Sequence, residues 1–123
     1  MALRLLELGY KAPAVVEELV RADPYAEYRQ LGVVDADGFA AARTGKMNRD
    51  WAGHRVRDDY IVLGNYLTGE HILEAMERAF TAKPAEDLEE RLLHAVEAGR
   101  DAGGQMPRMR AWACGDRTKQ AWA

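Results

Sequence analysis

The residues best equipped for chemistry lie close together, in the run TGKMNRDWAGH from Thr44 to His54. It holds a hydroxyl (Thr44), a carboxamide (Asn48), a carboxylate (Asp50), an indole (Trp51) and an imidazole (His54). A polar loop of this kind is costly to hold in place, and loops on rigid scaffolds are a common address for sites. His54 is a candidate base or hydrogen-bond donor near neutral pH. Asn48 and Trp51 are candidate ligand contacts. The competing reading is a surface loop pinned by Trp51, with His54 bonded to backbone. The chain contains no serine and a single cysteine, so hydroxyl and thiol nucleophiles are confined to Thr44, Thr68, Thr81, Thr118 and Cys114.

Two other positions invite the same question. Asn65 sits in an otherwise apolar run, where an amide must find partners. It could orient a ligand or stabilise an oxyanion, or it could hold a neighbouring loop. Asp35 and Asp37 suggest a ligand or cation contact, but Gly38 follows directly and the later ligands of a calcium loop are missing. A hairpin turn explains the run better, so Asp35 stays a candidate binding residue and no metal is expected. His54, His71, His94 and Cys114 lack zinc-ligand spacing. No phosphate-binding glycine loop, GxSxG elbow or HExxH pair is present, and no cofactor is expected.

Composition bounds the remaining options. Hydrophobic residues make up 48% and charged residues 30% of the 123 positions, with a net charge of -3, which suits one globular domain. A pI of about 5.6 argues against a general affinity for nucleic acid. No apolar run reaches membrane-spanning length, and Arg4 and Glu7 break the opening segment as a signal peptide. A cytoplasmic location is the default expectation.

The elements that must position these residues read as α+β. Ala2 to Leu8 reads as a helix stopped by Gly9. Pro13 opens a second helix with Val15, Val16, Leu19 and Val20 as its apolar stripe, ended by Asp23-Pro24. Leu31 to Val34 reads as a strand, Asp35 to Gly38 as a turn, and Phe39 to Thr44 as the returning strand. Gly45 to Asp59 reads as loop. Tyr60 to Leu67 alternates like a strand. Thr68 is placed to cap a helix carrying Ile72, Leu73, Met76 and Phe80. Pro84 begins another helix, with Leu88, Leu92 and Val96 as its buried stripe and Ala95 alongside. Glu90 and His94 stand one turn apart, and Gly103-Gly104 ends that helix. Met109 to Cys114 reads as a final strand. Grouped strands flanked by helix pairs predict helices covering sheet faces.

Several segments in order, ADPYAEYRQLGVVDADG, TGKMNRDWAGH, LGNYLTGEHILEAMERAF and ERLLHAVEAGRDAGG, resemble the bacterial and archaeal family called domain of unknown function 1028. The resemblance implies an Ntn-hydrolase-like fold, in which two antiparallel sheets lie between helical layers. It places this chain in the central part of such an αββα sandwich, as a single domain over residues 1–123. The strands upstream, the C-terminal end and the segment that carries a superfamily nucleophile are expected to be missing. Enzymes of that superfamily cleave amide bonds with an N-terminal Thr, Ser or Cys. Some family members carry a peptidoglycan-binding domain, which suggests cell-wall metabolism.

Two functions follow as expectations. The first is an amide-bond hydrolase or its inactive remnant, acting on a small-molecule or peptide ligand, with Thr44 as nucleophile and His54 as base. The second is a non-catalytic binding or assembly module. Missing strands leave open sheet edges and uncovered apolar faces, so such a chain pairs with itself or with a complementing segment.

Overall fold

A β-branched run, a glycine turn and a returning alanine run fold into the expected hairpin. In the computed structural model, which describes residues 1–106, β1 (Gln30–Val34) pairs antiparallel with β2 (Ala40–Thr44). Gly38 takes the left-handed conformation of the turn, at φ +84°. Asp35 holds that turn: its Oδ1 accepts the amides of Asp37 and Phe39 at 3.0 and 3.1 Å. The alanines that prefer helix in isolation are strand here because each has a cross-strand partner, from Val34↔Ala40 to Gly32↔Ala42.

The chain divides into two compact units, Met1–Asn65 and the part from Tyr66 onward. In the first, α1 (Ala2–Glu7) precedes α2 (Ala12–Ala22). Pro13 lies in the first turn of α2, as expected, and Ala12, Val15 and Val16 are buried. The helix is capped from a distance, because Asp35 Oδ2 accepts the Ala12 amide at 3.0 Å. Val16 and Val20 of α2 and Ala41 of β2 line one shallow groove, so the small β2 side chains let the helix lie on the hairpin. A short 3-10 turn, Ala26–Tyr28, leads into β1.

The segment from Gly45 to Asp59 is not all loop. Gly53–Val56 forms β3, which pairs antiparallel with β4 (Ile61–Gly64). Alternation along β1 and β2 places Gln30, Gly32, Ala42 and Thr44 on one face. That face meets the second hairpin closely: a Cβ on Gly32 would lie 2.8 Å from Leu63 Cδ2. Helix, hairpin and hairpin thus form successive layers in this unit, an α+β arrangement with helices packed on antiparallel sheet. The strand expected over Tyr60–Leu67 is shorter than its alternation suggests. It ends at Gly64, and Leu67 makes an isolated bridge to Gln105 in the second unit.

The second unit is built on α3 (His71–Ala82) and α4 (Leu88–Asp101). Ile72, Leu73 and Phe80 are buried, as their spacing predicts. Four expectations fail here. Thr68 does not cap α3; its hydroxyl donates to Gly104 O at 3.3 Å. Pro84 precedes α4 in a turn, and the helix itself starts at Leu88. The stripe of Leu88, Leu92 and Val96 is not buried among the described residues, at 56%, 51% and 62% exposure. Ala95 and Gly99 are buried instead, and a Cβ on Gly99 would meet Met76 Cγ at 2.8 Å. The small residues win the interface because they allow the two helix axes to approach closely. His94 pairs with Glu86 at 3.2 Å rather than with Glu90. Arg91 completes the helix pair, its guanidinium carbon 4.1 Å from the Phe80 ring centroid and its Nε donating to Phe80 O at 3.1 Å. The expected strand Met109–Cys114 lies outside the described residues.

Candidate functional site

The site begins where β1 and β2 meet at their open end. Gln30 opens β1 opposite Thr44, the last residue of β2. Beyond Thr44 the chain passes through Gly45, which is buried and approaches the 3-10 turn so closely that a Cβ would fall 2.3 Å from Glu27 O. Only glycine fits such an approach. The loop is then fastened to the same turn. Met47 N–H donates to Glu27 O at 2.8 Å, and Lys46 N–H donates to Glu27 Oε2 at 2.9 Å. Glu27 Oε1 also pairs with Arg43. The Lys46 amide and the Arg43 guanidinium hold the Glu27 carboxyl below its ordinary range, against partial desolvation.

Asn48 continues this fastening. Its Nδ2 donates to Arg29 O at 2.9 Å and to Gly45 O at 3.0 Å, so both amide protons bind backbone. Trp51 lies on the backbone of β3, where a Cβ on Gly53 would sit 2.5 Å from the indole ring. The next residue is His54.

The two hairpins bring Thr44 and His54 together. Thr44 Oγ1 is 2.9 Å from His54 Nδ1, with Thr44 half-buried and His54 exposed. Gln30 joins Thr44 to the second hairpin. Its Nε2 lies 3.0 Å from Thr44 Oγ1, 2.9 Å from Gly53 O and 2.9 Å from Gly64 O, so one side chain ties β1 to β2, β3 and β4. Asn65 Nδ2 in turn donates to Gln30 Oε1 at 3.1 Å. Thr44, His54 and Asn65 are therefore members of one cluster. Gln30 is the member that reading the sequence missed. Its signal is faint: a polar residue that opens an apolar strand.

Asp35 stands apart, at the far end of β1, roughly 16 Å of strand from Gln30. Partial burial pushes its carboxyl up. The amides of Ala12, Asp37 and Phe39, with the Lys11 ammonium, outweigh that and leave it below the usual carboxylate range. Its oxygens are engaged in holding a turn and a helix start. Among the described residues no group of three or more His, Cys, Asp or Glu is placed to hold a metal ion.

The cluster joins a hydroxyl to an imidazole and backs the hydroxyl with an amide, parts that could move a proton off an oxygen nucleophile. The family model described as Family of unknown function (DUF1028) matches residues 1–113. The chain belongs to that family. A solved relative in the family is protein SPO2555 from Silicibacter pomeroyi, 36% identical, with a TM-score of 0.77 over 83% of this chain. The match covers 46% of that protein, so this chain spans less than half its length. No curated protein matches the chain. Among the described residues, no helix is long and apolar enough to cross a membrane.

Proposed function

We propose that this family member carries the nucleophile and base of an amide-bond hydrolase of Ntn-hydrolase-like descent, acting on a small-molecule or peptide ligand. One observation carries the reading: the 2.9 Å contact between Thr44 Oγ1 and His54 Nδ1. Distances of this size are those of a hydroxyl nucleophile and its general base. The Thr44 proton passes to His54 as Oγ1 attacks the amide carbon, and His54 returns it to the departing amine. A water, deprotonated by His54, then cleaves the acyl ester, and the proton returns to Thr44 Oγ1. Enzymes with an N-terminal nucleophile use their own α-amine as base. Thr44 is internal, and His54 takes that role. Exposure of the imidazole supports the reading, since a substrate must reach it.

The test is hydrolysis of a panel of peptide p-nitroanilides by the wild type and by Thr44→Ala and His54→Gln. A general base contributes roughly 10²- to 10⁴-fold, so each variant should lose turnover on that scale. Unchanged turnover in Thr44→Ala contradicts the assignment.

A second reading, a non-catalytic assembly module that pairs with itself or with a complementing segment, is favoured by the exposed Leu88, Leu92 and Val96 of α4. Size-exclusion chromatography with light scattering tests it, and a stable monomer counts against self-pairing.

A further inference from the structure

Gln30 lies at the centre of the cluster, and an amide nitrogen can only donate hydrogen bonds. Its surroundings admit one orientation of the amide. Gly53 O and Gly64 O both lie 2.9 Å from Nε2, and Asn65 Nδ2 lies 3.1 Å from Oε1. A flipped amide would set oxygen against two carbonyls and nitrogen against nitrogen. The two Nε2 protons serve three acceptors, one of them Thr44 Oγ1 at 3.0 Å, in a partly shared arrangement. Thr44 therefore finds no acceptor on Gln30. The neighbour left to take the hydroxyl proton is His54 Nδ1, at 2.9 Å.

We propose that Gln30, held in orientation by Asn65, is a positioning residue that makes Thr44 the donor and His54 Nδ1 the acceptor. The imidazole then rests as its Nε2–H tautomer, with a bare Nδ1 lone pair on the hydroxyl. This inference rests on the hydrolase reading for its purpose, because a general base must present its lone pair to the proton it removes. Its geometry is independent of any turnover. Asn65 Nδ2 holds Gln30 Oε1, and Gln30 Nε2 reaches Thr44 Oγ1, so the direction of the Thr44–His54 hydrogen bond is set through Gln30.

The test is 15N NMR of the His54 ring in the full chain, in mildly alkaline buffer where imidazole is neutral. The expected wild-type signature is a single tautomer with Nδ1 unprotonated. In Gln30→Glu the carboxylate accepts the Thr44 proton. Thr44 Oγ1 then accepts from the ring, and the signature switches to Nδ1–H. Because that variant sets a carboxylate against two carbonyls and can unfold, Gln30→Met is the second variant. It removes the donors without adding charge, and a mixture of both tautomers is expected. An Nδ1–H wild type overturns the inference, as does a folded Gln30 variant with the wild-type signature. Amide hydrolysis separates this inference from the hydrolase reading. The expected tautomers without turnover keep the positioning role and remove the hydrolase reading; turnover with an Nδ1–H ring removes the positioning role and leaves hydrolysis to groups other than a bare His54 Nδ1.

Discussion

The cluster around Gln30 and the outer face of α4 treat their side chains in opposite ways. At Gln30, polar groups from four strands and the residue after them meet one another's hydrogen-bonding needs. On α4, Leu88, Leu92, Leu93 and Val96 are each more than half exposed. Interlocked polar groups resist rearrangement, because breaking one bond leaves another partner unmet. An exposed apolar stripe contributes little to folding and marks a surface suited to association. The proposed chemistry thus lies in the first unit, and the proposed assembly role in the second.

The largest expected effect lies at the base of the rigid region. Gly45→Val drives a side chain into the Glu27 carbonyl. It should cost about 3 kcal/mol or more, since backbone cannot yield as a side-chain tip can. Urea denaturation measures it, and a wild-type midpoint would show that the loop is not held against the 3-10 turn. Next is Gln30→Leu, which strips partners from Gly53 O, Gly64 O and Asn65 Nδ2. A loss of about 2 kcal/mol is expected for such a break. A neutral result would mean that water replaces the amide freely, and the contrast with α4 would collapse.

Acid should act on the first unit more gently. Asp23, Glu27 and Asp35 all have carboxyls held below their ordinary values, chiefly by backbone amides at Asp23 and Glu27, and at Asp35 by amides acting against desolvation. Each binds its proton less readily when folded than unfolded. Their contribution is present above the unfolded carboxylate range and is lost as pH falls through the lower folded values. Thermal denaturation should show stability falling as pH drops below about 4, with a shallower fall in Asp35→Asn. The smallest effect is expected on α4. Leu92→Glu should change monomer stability by less than about 0.5 kcal/mol, as surface substitutions do. A larger loss at low protein concentration would show that α4 is covered within the monomer. A change seen only in self-association would assign the stripe to an interface.

Much of this arrangement was legible in the residues themselves. The Leu31–Thr44 hairpin announced itself through β-branched residues beside a glycine turn, and Pro13, Ile72, Leu73 and Phe80 sit where their spacing placed them. Thr44 and His54 are candidates because they bound a dense polar loop, and Asn65 because an amide in an apolar run needs partners. What stayed hidden was long-range. Gly53–Val56 is too short to show a period and becomes a strand through its pairing with Ile61–Gly64. Asp35 caps a helix that begins 23 residues before it in the chain. Gln30 bonds to carbonyls as far as 34 residues away. On α4, hydrophobicity pointed to Leu88, Leu92 and Val96, while the contact was decided by size, in favour of Ala95 and Gly99.

The Thr44–His54 pair is tested most directly by brief exposure to p-nitrophenyl acetate, followed by mass spectrometry of the peptides. A nucleophilic hydroxyl aided by a neighbouring base should take up the acetyl group faster than Thr68 or Thr81. The expected result is acetylation of Thr44 that disappears in His54→Gln while any lysine labelling is unchanged. An unmodified Thr44, or equal labelling of Thr44 with and without the imidazole, would contradict the account.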